Sequence, residues 1–366
     1  MFGNEAGMLA KLGFLLLLVC TACVLFIAFT EKGLRPQRKN AIPMQATVVE
    51  IPGKSSNSVK LIIEPLCNST FLAWIVTSYA GDPSARSALR RAYASEELQT
   101  LGIRRVFLLG TLSDDAQRKT RVSQNALLDE SRRFNDILQG DFVDTYRNLT
   151  RKHLMGLRWA VNKCRHLQYI VKMDDDIVIN LYGLLDKLHG VVDEDSLTGY
   201  ALRNMIPVRE PANKWYVSEA EYAGSIYPDF VSGWMYVVRP QMANRLTNYA
   251  ESSNEYFWID DVFVTGVLRQ ALNIKIRNIG ELYTTDHRYL ECCMKGRKSL
   301  LQCEFLIGPN GGDAELQIRF KEFAKFCHTN CSVRPATNLV GKTCVVAYKE
   351  ANLHKGAVQI NTVHIL

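Results

Sequence analysis

The 366-residue chain is 47% hydrophobic and 22% charged, with 11 prolines and 23 glycines, so it can bury a large core; a disordered, collagen-like or low-complexity protein is excluded. Its formal net charge of +7 is too modest at this length for a dedicated binder of nucleic acid.

Residues 1–11 read as a short cytoplasmic tail ahead of an uncharged apolar run from Leu12 to Phe29. As a helix this run just crosses hydrocarbon. It closes on Ile27-Ala28-Phe29-Thr30, with a bulky residue between small ones, so a retained signal anchor is expected and a cleaved signal peptide is not. Its shortness suits the thin membranes of the early secretory pathway and Golgi. The flanking charges point the other way, with Lys11 before the span and Lys32, Arg35, Arg38 and Lys39 after it. Beyond the span, however, lie three N-glycosylation acceptors, at Asn68, Asn148 and Asn330, and eight cysteines, Cys67, Cys164, Cys292, Cys293, Cys303, Cys327, Cys331 and Cys344. Long domains translocate largely regardless of flanking charge, so residues after the anchor are expected in the lumen, with up to four disulfides whose pairing the sequence leaves open.

Residues 30–65, with Pro36, Pro43, Pro52, Gly53 and a Ser55-Ser56-Asn57-Ser58 run, read as a stem. A strand is expected at Phe71–Thr77, a turn at Gly81–Ser84 and a helix from Ala85 to about Glu96. A second strand at Arg105–Gly110 precedes one long polar helix from Asp115 to about Phe134. A helix over Leu149–Cys164 and a strand over Tyr169–Met173 follow. Strands that are apolar on both faces and alternate with helices predict an α/β fold with a parallel sheet.

The chemistry gathers where the last of these strands ends, at Lys172-Met173-Asp174-Asp175-Asp176. In open α/β sheets ligands sit beyond the carboxyl ends of the strands. Three consecutive carboxylates repel unless a cation joins them, and hard oxygen ligands favour Mn²⁺ or Mg²⁺. The plain alternative is that the acidic run caps a helix over Leu181–Leu188. A second acidic element, Trp258-Ile259-Asp260-Asp261-Val262, reads equally as a helix start, where the dipole favours anions, or as catalytic carboxylates. A metal-holding cluster and a separate base are the minimal equipment for sugar transfer from a nucleotide donor.

From about Trp74 to Gly266 the chain resembles the β1,3-glycosyltransferases of glycosyltransferase family 31. The resemblance runs through Arg86-x-x-x-Arg90, Phe107-Leu108-Leu109-Gly110 and Asp141-Phe142-x-Asp144-x-Tyr146-x-Asn148-Leu149-Thr150-x-Lys152. It continues through Lys172-x-Asp174-Asp175-Asp176, Tyr227-Pro228-x-Phe230-x-x-Gly233-x-x-Tyr236 and Asp260-Asp261-Val262-x-x-x-Gly266. It implies a type II Golgi membrane enzyme of GT-A type, with a Rossmann-like, mostly parallel sheet and helices on both faces. The lumenal catalytic domain would span 66–330, with 331–366 as an extension. A UDP-sugar would be the donor, Mn²⁺ or Mg²⁺ the metal, and a glycan on glycoprotein or glycolipid the acceptor. Asp176 would hold the metal, Asp174 and Asp175 would lie near ribose and diphosphate with Lys172 beside them, and Asp261 would be the general base supported by Asp260. Arg86 and Arg90 would lie near the donor nucleotide, and Gly233 would admit the donor sugar. Galactose is the expected sugar, with N-acetylglucosamine or N-acetylgalactosamine as alternatives; a non-catalytic glycan-binding protein is the reading from another class. The chain departs from the family in having Asp260 where many galactosyltransferases have glutamate, and in lacking a histidine near Leu306–Pro309, a role that is either vacant or passes to His287.

Overall fold

The computed structural model describes residues 59–253, 255–295 and 300–344. The expected tail and anchor lie outside the described residues, as does most of the expected stem. Among the described residues no helix is long and apolar enough to cross a membrane.

Among the described residues ten strands form: β1 (Leu61–Ile63), β2 (Leu72–Thr77), β3 (Ile103–Thr111), β4 (Ile137–Val143), β5 (Tyr169–Asp174), β6 (Ile177–Ile179), β7 (Ser196–Leu202), β8 (Phe230–Val238), β9 (Lys275–Asn278) and β10 (Ile307–Pro309). Eight make one sheet in the order β1-β4-β3-β2-β5-β8-β7-β9, while β6 and β10 pair separately. The central β4-β3-β2-β5 pairs are parallel, as the alternating pattern predicts. β8 then runs antiparallel to both β5 and β7, so the sheet is mixed and mostly parallel.

Alternation along β2 explains its unbroken apolar run. Ala73 and Ile75 pack on one face with Leu154 and Leu157 of α5 (Leu149–Lys163). Leu72, Trp74 and Val76 pack on the other, with Leu89 of α1 (Pro83–Ala92) and Leu184 and Leu188 of α6 (Leu181–Val191).

Three expected boundaries move. The helix expected from Ala85 to Glu96 ends at Ala92, and α2 (Ser95–Thr100) follows. The single helix expected from Asp115 to Phe134 is two, α3 (Asp114–Thr120) and α4 (Gln124–Phe134). Arg121 turns the chain through φ 58 between them, and the Ser123 hydroxyl accepts from Ala126 N–H to start the second. The sheet also begins inside the expected stem, because β1 pairs antiparallel with β4.

The described C-terminal residues pack against the first helices. Helix α7 (Glu315–Asn330) docks through Glu315 to Arg91 of α1 and through Lys321 and Lys325 to Glu97 of α2. All eight expected cysteines pair, as Cys67–Cys164, Cys292–Cys344, Cys293–Cys303 and Cys327–Cys331. The first spans a sequence separation of 97 and fastens the segment before β2 to the end of α5. Replacing Cys67 and Cys164 together by serine is expected to lower stability by about 2 to 5 kcal/mol, because a long closed loop is released in the unfolded chain. Denaturant midpoints of the purified protein check this, and an unchanged midpoint would show that α5 and the sheet suffice without the bridge.

Candidate active site

The register sets the site. β2 and β5 lie side by side with Thr77 opposite Asp174, so both chains leave the sheet at the same edge. β8 passes antiparallel beside β5 and carries Gly233 to that edge. A cleft of about 410 Å³ opens there, lined by Thr77, Ser78, Tyr79, Tyr146, Asp174, Asp175, Asp176, Trp215, Trp258, Asp260 and Asp261 among others.

Neither acidic cluster is spent on capping a helix. Strand β6 separates the aspartate run from α6, whose cap is Asn180, accepting from Gly183 N–H at 2.9 Å. Asp260 stands at the entry of the π-helix Asp261–Leu268, but its side chain makes no capping bond. Thr265 fixes that helix by donating to the Asp261 carbonyl at 2.7 Å while accepting from Val231 N–H of β8 at 2.9 Å.

Lys172 sits beneath both clusters. Its buried ammonium donates to Asp174 Oδ1 at 2.7 Å and to the Gly233 carbonyl at 2.8 Å, and lies 3.8 Å from Asp260 and 4.0 Å from Asp261. Burial works against this charge, yet Asp174, Asp260 and Asp261 together hold the ammonium protonated well above the ordinary lysine value. Burial also pushes Asp174 up to about 6 and Asp175 up to about 7, despite Lys172 beside the first and the Ser78 hydroxyl on the second. Asp260 is the exception: burial is overcome by Lys172 and His153, and its carboxyl is held down at about 2. Its neighbour Asp261 is driven well above the carboxylate range by burial and by the Asp260 charge.

Six carboxylates thus face the cleft; Asp144 is matched by Lys152, which donates to it and to the Ser78 carbonyl, each at 2.6 Å, and the other five share Lys172 as their one internal cation among the described residues. Such a surplus of hard oxygen donors fits a divalent cation. Asp176 is exposed at the mouth, and its carboxylate makes no hydrogen bond or ion pair among the described residues. A second group, His153, Asp260 and Asp261, has side-chain atoms within 4.8 Å of one another. It suits a cation poorly, because both imidazole nitrogens are engaged and the Lys172 ammonium is already 3.8 Å from Asp260.

Arg86 and Arg90, expected beside the donor nucleotide, do not line the cleft. The fully buried Arg86 guanidinium donates to Glu130 at 2.7 and 2.8 Å and to the Tyr79 carbonyl at 2.7 Å, which braces the loop behind the cleft. Arg90 is consumed by Asp136 and Glu130. Gly233 also departs from expectation, because what approaches it is the protein's own Asp261. The Gly233 N–H donates to Asp261 Oδ2 at 2.8 Å, and a Cβ there would lie 2.1 Å from Oδ1. His287 packs against Gly311 and is not among the residues lining the cleft. Of the glycosylation acceptors, Asn68 and Asn330 are exposed; Asn148 is half-buried, and its Thr150 hydroxyl is buried on the Phe257 carbonyl at 2.6 Å. The sequence reading missed Trp215, which carries no motif of its own, and His153, which lies on the apolar side of α5.

Comparison with known proteins shows the family. The family model described as galactosyltransferase matches residues 84–280. Beta-1,3-galactosyltransferase 5 of Gorilla gorilla gorilla is 34% identical over 244 residues, covering 66% of this chain and 79% of that protein. The protein of that name from Mus musculus is 36% identical over 239 residues, covering 64% and 75%. Beta-1,3-galactosyltransferase 2 of Homo sapiens is 35% identical over 210 residues, covering 56% and 48%. The chain is a glycosyltransferase and belongs to the galactosyltransferase family of β1,3-glycosyltransferases, glycosyltransferase family 31.

Proposed function

We propose that the protein is an inverting β1,3-galactosyltransferase of GT-A type, taking galactose from UDP-galactose to a hydroxyl of a glycan on glycoprotein or glycolipid. The observation that carries this reading is the state of Asp261. Its Oδ2 is held by Gly233 N–H, while its Oδ1 is buried and has no hydrogen-bond partner among the described residues. A carboxylate with a raised proton affinity, held in place by a backbone N–H and lining the cleft, is suited to take a proton from an incoming hydroxyl. In the proposed reaction the acceptor oxygen bonds the anomeric carbon as its proton passes to the Asp261 carboxylate. The bond from that carbon to the diphosphate breaks on the opposite face, and UDP departs with the electron pair.

Asp176 would hold Mn²⁺ or Mg²⁺, with Asp174 and Asp175 near the ribose and diphosphate and Lys172 fixing Asp174. The bound cation supplies charge neutralisation for the departing diphosphate. The exposed rings of Tyr146 and Trp215 and the buried Trp258 give the cleft an aromatic wall suited to a sugar ring. The four disulfides and the acceptor sites Asn68 and Asn330 favour a lumenal domain, and the run at 12–29 would be the Golgi anchor.

The test is a donor screen of the purified protein with Mn²⁺, reading UDP release and product with β-linked sugar acceptors. Transfer from UDP-galactose, abolished by chelator, is expected. Asp176→Ala should lose donor binding and turnover together while folding survives, because an exposed carboxylate contributes little to the core. Undiminished activity in chelator, or release from another nucleotide sugar alone, overturns the metal or the donor assignment respectively.

A further inference from the structure

His153 belongs to a buried chain of polar groups that the proposed reaction leaves unused. Lys172 and Tyr236 are direct partners across the β5–β8 pair, so their side chains leave the same face of the sheet, where α5 packs. The Tyr236 hydroxyl lies 2.6 Å from His153 Nε2, and His153 Nδ1 lies 2.9 Å from Asp260 Oδ2. Tyr236 and His153 are fully buried and Asp260 nearly so.

The partners assign the protons. Ionised Asp260 can only accept, so Nδ1 carries the hydrogen and donates it. Nε2 is then an acceptor for the Tyr236 O–H, and every group is satisfied with a neutral ring. Burial lowers the proton affinity of His153, and the nearby Lys172 ammonium disfavours a second positive charge. The groups facing Asp260 are therefore an N–H from α5 and the ammonium of β5, which together leave its carboxylate one position.

Asp260 is also the last residue before the π-helix, and Asp261 follows it directly. Fixing the Asp260 side chain fixes the entry of that helix, whose first carbonyl is tied to Thr265. We propose that Tyr236 and His153 form a positioning relay, which locks Asp260 against Lys172 so that the Asp261 carboxylate stays aimed at the acceptor hydroxyl. The proposal rests on the reading of Asp261 given above. His153 touches no reacting atom in this scheme; it acts through Asp260.

The experiment compares the full-length protein with His153→Leu, His153→Asn and Tyr236→Phe, measuring kcat and the KM for UDP-galactose. His153→Leu removes a hydrogen bond to a charged group, and kcat is expected to fall about tenfold to a hundredfold with donor KM within about twofold. His153→Asn returns an N–H donor near the Nδ1 position and should recover most of the loss. Tyr236→Phe keeps the ring and removes one hydroxyl, so an intermediate loss is expected. A native kcat in His153→Leu, no recovery in His153→Asn, or a loss shared equally by donor KM overturns the relay. If His153→Leu does not fold, Tyr236→Phe decides, with reduced kcat at native donor KM supporting the proposal and native kcat overturning it. Absence of transfer by the native protein overturns the proposed function itself, which separates that failure from failure of the relay.

Discussion

Asp261→Asn is expected to transfer sugar about 10² to 10⁴ times more slowly than the native protein while binding UDP as well as it does. The amide keeps the volume and can still accept the Gly233 N–H that now holds Oδ2 at 2.8 Å. What it loses is the ability to take a proton on the side chain that lines the cleft. The pH dependence follows with a definite sign. Burial and the Asp260 charge raise the Asp261 carboxyl well above the ordinary range. It is protonated and idle below that raised value and ionised above it, so the rate should fall as pH drops through a point higher than an ordinary carboxylate would give. This acid limb should be missing from the residual activity of Asp261→Asn. Asp260→Asn should cost less, since its carboxyl, held down at about 2, does not exchange protons near neutral pH. Single-turnover transfer and calorimetric UDP titration separate the possibilities. A native rate in Asp261→Asn moves the base elsewhere, and a parallel loss of UDP binding places the residue in the donor site.

Both acidic clusters were legible in the sequence because a strand-end position and an uncompensated run of carboxylates are local facts. The apolar strands β2, β3 and β5 and the helix α5 were legible for the same reason. Features set by distant partners were not. Arg86 and Arg90 look like phosphate ligands until the fold brings Glu130 to Arg86 across 44 residues and Asp136 to Arg90 across 46. His153 meets Asp260 across 107 residues, and nothing in the apolar side of α5 announces that encounter. Strand β4 hid its character behind Gln139, a buried polar residue whose amide donates to the Gly110 carbonyl at 2.8 Å. The break between α3 and α4 falls at Arg121, where no glycine or proline marks the turn.

Gly233→Ala is the substitution in which the structure and the sequence reading part most clearly. A glycine in this block was expected to make room for the donor sugar, but the space its missing side chain leaves is filled by Asp261. A Cβ would stand 2.1 Å from Oδ1, 2.5 Å from Oδ2 and 2.6 Å from Cγ, inside any tolerable contact. Residue 233 is held in the middle of β8, so the carboxylate must swing away, which breaks its bond from the Gly233 N–H and misaims the base. Turnover is expected to fall by about 10² or more, close to the loss in Asp261→Asn. The stability cost should be only about 1 to 3 kcal/mol, the usual range for an overpacked site. UDP affinity should stay within a few-fold, because Asp176 at the mouth of the cleft is untouched. The decisive measurement is the double variant. If Gly233 acts only by giving Asp261 its place, then Gly233→Ala combined with Asp261→Asn should be hardly slower than the worse of the two single variants, a strong non-additivity between touching groups. If instead the two losses multiply, the residues act independently, and Gly233 serves the donor sugar after all.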